Sequence, residues 1–511
     1  MTPANLLTEW GRLLIGSLAR AGVTEAIISP GSRSTPFTWA ALRESRLRCR
    51  TIIDERAAAF FAVGQAKITG SPSLLICTSG SAAANYLPAI VEADRSGTPL
   101  IVLTADRPFE LQHGDAPQTI DQVKLYGDAV RRFFEIGMPD ASDGALIGLR
   151  RIAAHAAALA RGPVPGPVHL NARARIPLDP VVVAESDDAR ALVSLIDALL
   201  AEPVTRADPG TVVSWQSIEA IARAARGARR GVIVCGPMSP HHAPSRSTVA
   251  ALARRTGFPV LVEATSQQRF GTGDRDPDPD AADSGSDSGC DALVRIHAFD
   301  ALLRSPAMRA RFRPDFVLRI GAPPTSTAWS ELVEGSRHEE DPALRIREHV
   351  VTPVAWSDPH GTAATMAIGR VESTLELIDL RVHEWAEEGD DPVDDDARRA
   401  RTEWRDLLAA ADAAAIAALD VSRAGGDDEG VMVRALIDAM PDGALLALGN
   451  SLPVREADTF AAGDARDLLV WSQRGANGID GLIAGAAGAA AAAERPAALL
   501  LGDVSALHDA G

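Results

Sequence analysis

Glu55 has a type and a setting that could do chemistry. It follows the apolar pair Ile52-Ile53 and precedes Ala57-Ala58-Ala59-Phe60-Phe61, so a strand is expected to end and a helix to begin on either side of it. A carboxylate at that junction points toward whatever collects at the sheet edge. It is equally the place where the helix dipole favours an acid with no further role. Thr78-Ser79-Gly80-Ser81-Ala82-Ala83-Ala84-Asn85 reads as a strand-turn-helix of small residues, which lets backbone approach a ligand closely, although many α/β proteins carry such a turn. Gly502-Asp503 follows the apolar run Ala497 to Leu501. A carboxylate just past a parallel strand is a common Mg²⁺ position, and an ordinary polar loop looks the same. Arg33, Arg107, Arg455 and Arg474 each lie in a loop at the expected carboxyl end of a strand. Planar guanidinium suits bidentate binding of carboxylates, and four such loops together favour a site over unrelated surface ion pairs.

The elements that must position these residues alternate along the chain. A helix ends near Gly22, a strand runs from Ala26 to Ser29, and Thr35-Pro36 reads as the cap and first turn of the next helix. Ile52-Ile53 is expected to be a strand with a helix from Ala57. A further unit has a strand from Leu74 to Cys77, a helix to about Ala93 and a strand from Leu100 to Thr104, and Gly166 to Leu170 is the last strand of the region. Buried apolar strands separated by helices predict parallel α/β sheets. Strands at Gly231 to Cys235, Pro259 to Val262 and Phe316 to Ile320 form a second region. Strands at Ala444 to Leu448, Leu468 to Trp471 and Ala497 to Leu501 form a third, which opens with a helix through Trp404. Residues 274–291 read as a solvated acidic loop and residues 387–396 as a charged linker. The expected domains are 1–182, 190–375 and 398–511.

A chain of 511 residues needs more than one core, and 46% hydrophobic with 23% charged residues is the balance of a globular protein. The formal net charge of −17, with no basic run, argues against nucleic acid and anionic membrane as partners. An acidic protein that binds anions must gather its arginines in a pocket. The four cysteines, Cys49, Cys77, Cys235 and Cys290, form no CxxC pair, which fits a reduced cytoplasm. No signal-peptide core or membrane-spanning run is present.

Taken together, the Glu55 junction and the Thr78–Asn85 turn resemble the pyrimidine-binding domain of thiamine-diphosphate enzymes. Five ordered blocks narrow the resemblance. They are Ile28 to Pro36, Thr104 to Pro108, Ala116 to Gln122, Gly449 to Arg455 and Arg474 to Gly481. Their order is that of the 2-succinyl-5-enolpyruvyl-6-hydroxy-3-cyclohexene-1-carboxylate synthases, transferases of menaquinone biosynthesis, and the resemblance runs over essentially the whole chain. It implies a pyrimidine-binding, a central and a diphosphate-binding domain, all doubly wound parallel α/β, the third incomplete at the C-terminus. It implies thiamine diphosphate and Mg²⁺ (or Mn²⁺) as cofactors, 2-oxoglutarate and isochorismate as substrates, and a homodimer or homotetramer. By resemblance Glu55 is catalytic and meets the aminopyrimidine. Ser79, Gly80, Ile479, Gly502 and Asp503 hold the cofactor, with Asp503 on the metal and Ile479 as an apolar wedge. Ser32, Arg33, Arg107, Gln118, Ser451, Arg455 and Arg474 meet the substrates.

Three departures from the family pattern bear on isochorismate binding. Pro324-Thr325-Ser326 continues as Thr327-Ala328 without the family's cation, Asp115 stands where Gly is usual, and Asn171-Ala172-Arg173-Ala174-Arg175 replaces a more apolar segment. Family members also continue past the position of Gly511 through an Asn-containing loop, so the chain as written is expected to be short of metal ligands and inactive or nearly so. Two rivals remain at this stage: another thiamine-diphosphate carboligase or decarboxylase acting on small monocarboxylates, and a partly folded chain that binds nothing productively.

Overall fold

Parallel strands covered by helices on both faces become continuous apolar runs, and the first region obeys that rule at its centre. In the computed structural model its strands are β1 (Glu25–Ile28), β2 (Arg48–Thr51), β3 (Ser73–Cys77), β4 (Leu100–Asp106), β5 (Arg132–Gly137) and β6 (Pro167–Arg173). They form one parallel sheet in the order β2-β1-β3-β4-β6-β5. Alternate residues divide between two apolar layers: Leu74 and Ile76 face the layer of Leu13, Leu14 and Leu103, and Leu75 faces that of Phe60, Ile90 and Val102. The structure describes residues 2–181, 186–207, 209–271, 293–387, 395–423, 426, 428–461 and 466–510. The stretch 274–291 lies outside these residues, as does most of the run 387–396.

Two details of the first region differ from the sequence expectation. The second strand is Arg48–Thr51, and Ile52-Ile53 lies beyond it, with Ile53 83% exposed. The edge position explains the polar sequence, because Arg48 reaches back to Glu25 on β1, 2.6 Å from Nε to Oε1. The helix expected after the Thr78–Ser81 turn, to about Ala93, is two helices, Ser81–Ala84 and Leu87–Ser96. Pro88 sits in the first turn of the second, where its missing N–H costs nothing, and it cannot continue the first.

The chain divides into two compact units. One comprises Met1–Gly210, Gln473–Glu494 and Asp503–Gly511. In it the helix Leu482–Ala493 packs on the helix Glu55–Thr69 with almost no side chain between them. A Cβ built on Gly64 would stand 1.9 Å from the Gly485 carbonyl oxygen. The other unit comprises Thr211–Ser472 and Arg495–Gly502. It carries a parallel sheet of β7 (Gly231–Cys235), β8 (Val260–Val262), β9 (Arg295–Ile296), β10 (Phe316–Ile320), β11 (Glu348–Thr352) and β12 (Ala363–Ile368), in the order β12-β11-β10-β7-β8-β9. A smaller parallel sheet in the same unit has β13 (Leu445–Leu448), β14 (Leu469–Ser472) and β15 (Ala497–Leu500), in the order β14-β13-β15. Among the described residues no helix is long and apolar enough to cross a membrane.

The helix contact makes a sharp prediction. Gly64→Ala pushes a methyl group into backbone that cannot swing away, so it is expected to lower stability by roughly 1–3 kcal/mol. Gly148, mid-helix with open space around its Cβ position, should gain about 0.5–1 kcal/mol on change to Ala. Chemical denaturation of the two variants beside the parent checks both signs.

Candidate active site

In the first sheet, β1 lies between β2 and β3, so successive connections leave in opposite directions and the β1 and β3 loops part at a topological switch point. Ligands collect there in open α/β sheets. The β1 loop enters a 3-10 turn, Ser32–Ser34, and the β3 loop is Thr78-Ser79-Gly80. The two touch: the Arg33 N–H donates to Thr78 Oγ1 at 3.3 Å, and a Cβ on Gly31 would stand 2.3 Å from Thr78 Cβ. Ser32 is exposed, whereas Arg33 is buried with Nη1 donating to the Ala174 carbonyl at 2.7 Å.

Arg107, just past β4, is half-buried. Its Nη2 donates to the Pro117 carbonyl at 2.9 Å, and its buried Nε has no hydrogen-bond partner among the described residues. Burial pushes the Arg33 pKa down, the Arg107 charge pushes it further the same way, and Asp106 opposes both. Two like charges that feel one another, one with an orphaned donor, make a place for an anion.

Ser79 and Gln118 bind reciprocally: Ser79 Oγ donates to the Gln118 carbonyl and Gln118 Nε2 to the Ser79 carbonyl, both at 3.1 Å. Gly80 has φ +87°, and a Cβ there would be 3.0 Å from Gln118 Cγ, so the turn is a cradle that only glycine leaves open. Gln118 itself holds φ +55°, a strained conformation of the kind that clusters at functional sites.

Glu55 is the first residue of the helix Glu55–Thr69. The capping duty falls on Asp54, whose side chain accepts from the Arg56 N–H at 2.9 Å. Among the described residues the Glu55 carboxylate accepts no hydrogen bond. Its charge reaches the buried Cys77 thiol at the end of β3. Burial raises that thiol's pKa most, a hydrogen bond with Tyr86 opposes the rise, and Glu55 adds to it.

Arg474 and Ile479 are half-buried in the loop that precedes the helix Leu482–Ala493. The Gly475 and Ala476 N–H groups donate to the Glu92 carboxylate at 2.9 and 2.6 Å, and Glu92 also takes Lys67 Nζ at 2.6 Å. Lys67 and Glu92 are buried and were not singled out from the sequence. Their signal there is a lone charge within otherwise apolar or small-residue helix faces. At the far end of the loop the Asp509 carboxylate accepts from the Gly481 and Ile483 N–H groups at 2.8 and 2.7 Å, capping the helix.

Asp503 is exposed at the start of the helix Asp503–Asp509 and accepts from the Val504 N–H. Among the described residues no group of three or more His, Cys, Asp and Glu could hold a metal ion. A lone carboxylate suits Mg²⁺, which keeps waters and binds largely through phosphate oxygens. Ser451, Arg455 and Gly502 belong to the second unit. There Ser451 holds φ +71°, and Arg455, one turn into the helix Leu452–Phe460, donates from Nη1 to the Ser451 carbonyl at 2.6 Å. In the same unit, Thr325 and Ser326, in the turn without a cation, donate to the buried carboxylates of Glu263 and Asp300. Asp115 is exposed with φ +53°.

Among the described residues, a glutamate that accepts no hydrogen bond, a small-residue cradle at a switch point and the neighbouring Arg33 and Arg107 are the groups free to meet a ligand. Residues 8–125 match the family model described as thiamine pyrophosphate enzyme, N-terminal TPP binding domain. The chain is 44% identical to the 2-succinyl-5-enolpyruvyl-6-hydroxy-3-cyclohexene-1-carboxylate synthase of Sorangium cellulosum, over 100% of this chain and 78% of that one. It is 39% identical to the synthase of that name from Geobacillus kaustophilus, over 99% and 80%, and 35% identical to that of Haloarcula marismortui, over 100% and 81%. The chain belongs to the 2-succinyl-5-enolpyruvyl-6-hydroxy-3-cyclohexene-1-carboxylate synthase family.

Beneath these loops Thr104 Oγ1 lies 2.7 Å from His169 Nε2, and burial pushes the His169 pKa down to about 3. The unfolded chain takes up that proton near the ordinary value of about 6.5, and the folded chain does not. Stability is therefore fully present above pH ~6.5 and falls as pH drops toward ~3, by about 1.4 kcal/mol per pH unit from this group. His169→Gln should flatten the pH dependence of stability by that amount between pH 6.5 and 4. Equal slopes in denaturation series of parent and variant would refute the burial of a neutral imidazole.

Proposed function

We propose that this chain joins 2-oxoglutarate to isochorismate with loss of CO₂, giving 2-succinyl-5-enolpyruvyl-6-hydroxy-3-cyclohexene-1-carboxylate, as a cytoplasmic transferase of menaquinone biosynthesis acting as a homodimer or homotetramer. The observation that carries the reading is the Glu55 carboxylate, which among the described residues accepts no hydrogen bond, at a helix start whose cap is already supplied by Asp54. Thiamine diphosphate, when bound, supplies the electron sink that decarboxylation of a 2-oxo acid requires.

The chain's own residues bind and orient. Glu55 would hold the aminopyrimidine and keep a proton at that ring, the Ser79-Gly80 turn would offer backbone, and Ile479 an apolar support. Gly502 leaves open space beside Asp503, which would share Mg²⁺ or Mn²⁺ with the diphosphate. The substrates carry two carboxylates each. Arg33 and Arg107, with Ser32 and Gln118, would take some of these, and Ser451, Arg455 and Arg474 others. The orphaned Arg107 Nε supports this assignment, since a buried donor without a partner costs about 1–3 kcal/mol that an anion would recover.

In a full-length context, Glu55→Gln is expected to cut CO₂ release from 2-oxoglutarate by ~10²–10⁴-fold with far-ultraviolet circular dichroism unchanged. Unimpaired proton exchange at C2 of bound thiamine diphosphate in this variant would sink the assignment. Arg455→Ala and Arg474→Ala should each raise the KM for 2-oxoglutarate, losing roughly 1.5–3 kcal/mol of charge-assisted binding, with a much smaller change in calorimetric cofactor affinity. Equal loss of both affinities would mean that these arginines hold the cofactor or the fold.

A further inference from the structure

Below the Gly80 turn and the Arg107 loop runs a buried chain of amides and carboxylates that the proposed reaction does not itself use. Gln122 is 1% exposed. Its Oε1 accepts from the Gly80 N–H at 3.0 Å, and its Nε2 donates to Asn171 Oδ1 at 3.0 Å and to the Ala105 carbonyl at 3.3 Å. Asn171, buried in β6, donates from Nδ2 to Asp106 Oδ2 at 2.9 Å and to Glu135 Oε2 at 3.0 Å. Asp106, at the end of β4, accepts the Arg107 N–H on Oδ1 at 2.7 Å and pairs through Oδ2 with Arg173 Nη1 at 3.0 Å. Arg173 Nη1 also donates to the Arg107 carbonyl at 2.8 Å. One end of the chain thus holds the backbone N–H of Gly80, and the other holds both backbone polar groups of Arg107.

The chemistry of the links leaves little freedom. Asp106 and Glu135 as carboxylates only accept, so the Asn171 amide must present Nδ2 to them and Oδ1 to Gln122 and Thr104. Gln122 must then present Nε2 to Asn171 and Oε1 to Gly80. An amide accepts at one atom and donates at the other, which neither a carboxylate nor an apolar side chain does. Stability alone is a poor account of such a network, because buried charge and amide gain little over well-packed hydrophobic residues.

We propose that Gln122 is a positioning residue: acting through Asn171 and Asp106, it fixes the Gly80 turn and the Arg107 backbone at one separation, so that cofactor and substrate carboxylate are presented in register. The inference rests on the reading that Gly80 serves the cofactor and Arg107 a substrate carboxylate.

The test is a double-mutant cycle on the whole chain, with Gln122→Met, which keeps length and loses all three side-chain hydrogen bonds, and Arg107→Ala. Two quantities are read: KM for 2-oxoglutarate, and the calorimetric Kd of thiamine diphosphate with Mg²⁺. Gln122→Met is expected to raise KM by ~3–10-fold, the loss of about one neutral hydrogen bond's worth of binding, and to weaken the cofactor as well. In the Arg107→Ala background the same change should raise KM by less than about 2-fold, because the contact it positions is already gone. Asn171→Leu severs the chain beyond Gln122 and spares the Gly80 bond. It should raise KM while leaving the cofactor Kd within about 2-fold, and it carries the cycle if Gln122→Met does not fold. Additive effects of Gln122→Met and Arg107→Ala on KM overturn the proposal, as does an Asn171→Leu variant that loses KM and Kd equally. An unchanged KM in Arg107→Ala alone overturns the substrate reading first, and the inference with it, and is recognised by that single variant.

Discussion

The Gly485 carbonyl oxygen lies 1.9 Å from the point where a Cβ on Gly64 would stand, and the Phe61 carbonyl oxygen lies 2.0 Å from that point on Gly488. Two helices meet backbone to backbone, and neither can turn or slide without collision. One of them begins at Glu55, and the other is entered through the loop of Arg474 and Ile479. The entry is fixed as tightly: Gly481 has φ +71°, and a Cβ there would meet the Phe60 ring at 1.9 Å. The buried Lys67–Glu92 pair ties the same helix to the Gly475 and Ala476 backbone. A side chain placed at the start of the first helix therefore inherits a frame that packing holds rigid.

Charge is distributed by a different rule. The chain carries a net −17, and four of its buried cations sit against acidic side chains: Lys67 on Glu92, Arg173 on Asp106, Arg319 on Glu348, Arg269 on Asp458. In the last pair burial holds the Asp458 carboxyl well above the usual carboxylate range, against the pull of Arg269, with Glu263 and Asp300 adding to the rise. Such pairs fix geometry more than they stabilise. At Arg33 and Arg107 the balance is different. Their charges feel one another, Asp106 opposes only in part, and a donor is left over. Positive potential on an acidic protein is most effective where it is gathered, and here it is gathered at the carboxyl ends of β1 and β4.

Sequence patterning reveals the centre of each sheet and misses the rims. β3, β4, β7, β10 and β13 are apolar runs and are legible as such, because burial on both faces selects them residue by residue. β2, with the sequence Arg-Cys-Arg-Thr, is mostly exposed at a sheet edge, and the apolar Ile52-Ile53 beside it misleads. β9 is two residues long, and β11 opens on the buried charge of Glu348, so neither carries a hydrophobic signature. At the candidate site, loop residues are legible because glycines, serines and arginines cluster by spacing. Gln122, Lys67 and Glu92 are not, because their roles come from partners distant in the chain.

The segment Asn171 to Arg175 illustrates how a polar sequence can belong to a buried strand. β4 and β6 run side by side with Thr104 opposite Asn171 and Asp106 opposite Arg173. Leu103, Ala105, Leu170 and Ala172 point to the apolar layer of the first unit. Side chains alternate along a strand, so Thr104, Asp106, His169, Asn171 and Arg173 all share the opposite face. A strand buried on both faces ordinarily has no need of alternation. Here every second residue of β6 from His169 onward is polar, and β4 ends the same way with Thr104 and Asp106, although both strands are buried along their whole length. The alternation is thus not a solvent-facing side. It is a polar ladder set into the sheet directly below the Gly80 and Arg107 loops, each rung held by groups on both strands. The departure from an apolar segment supplies the side chains that clamp the Arg107 backbone from below.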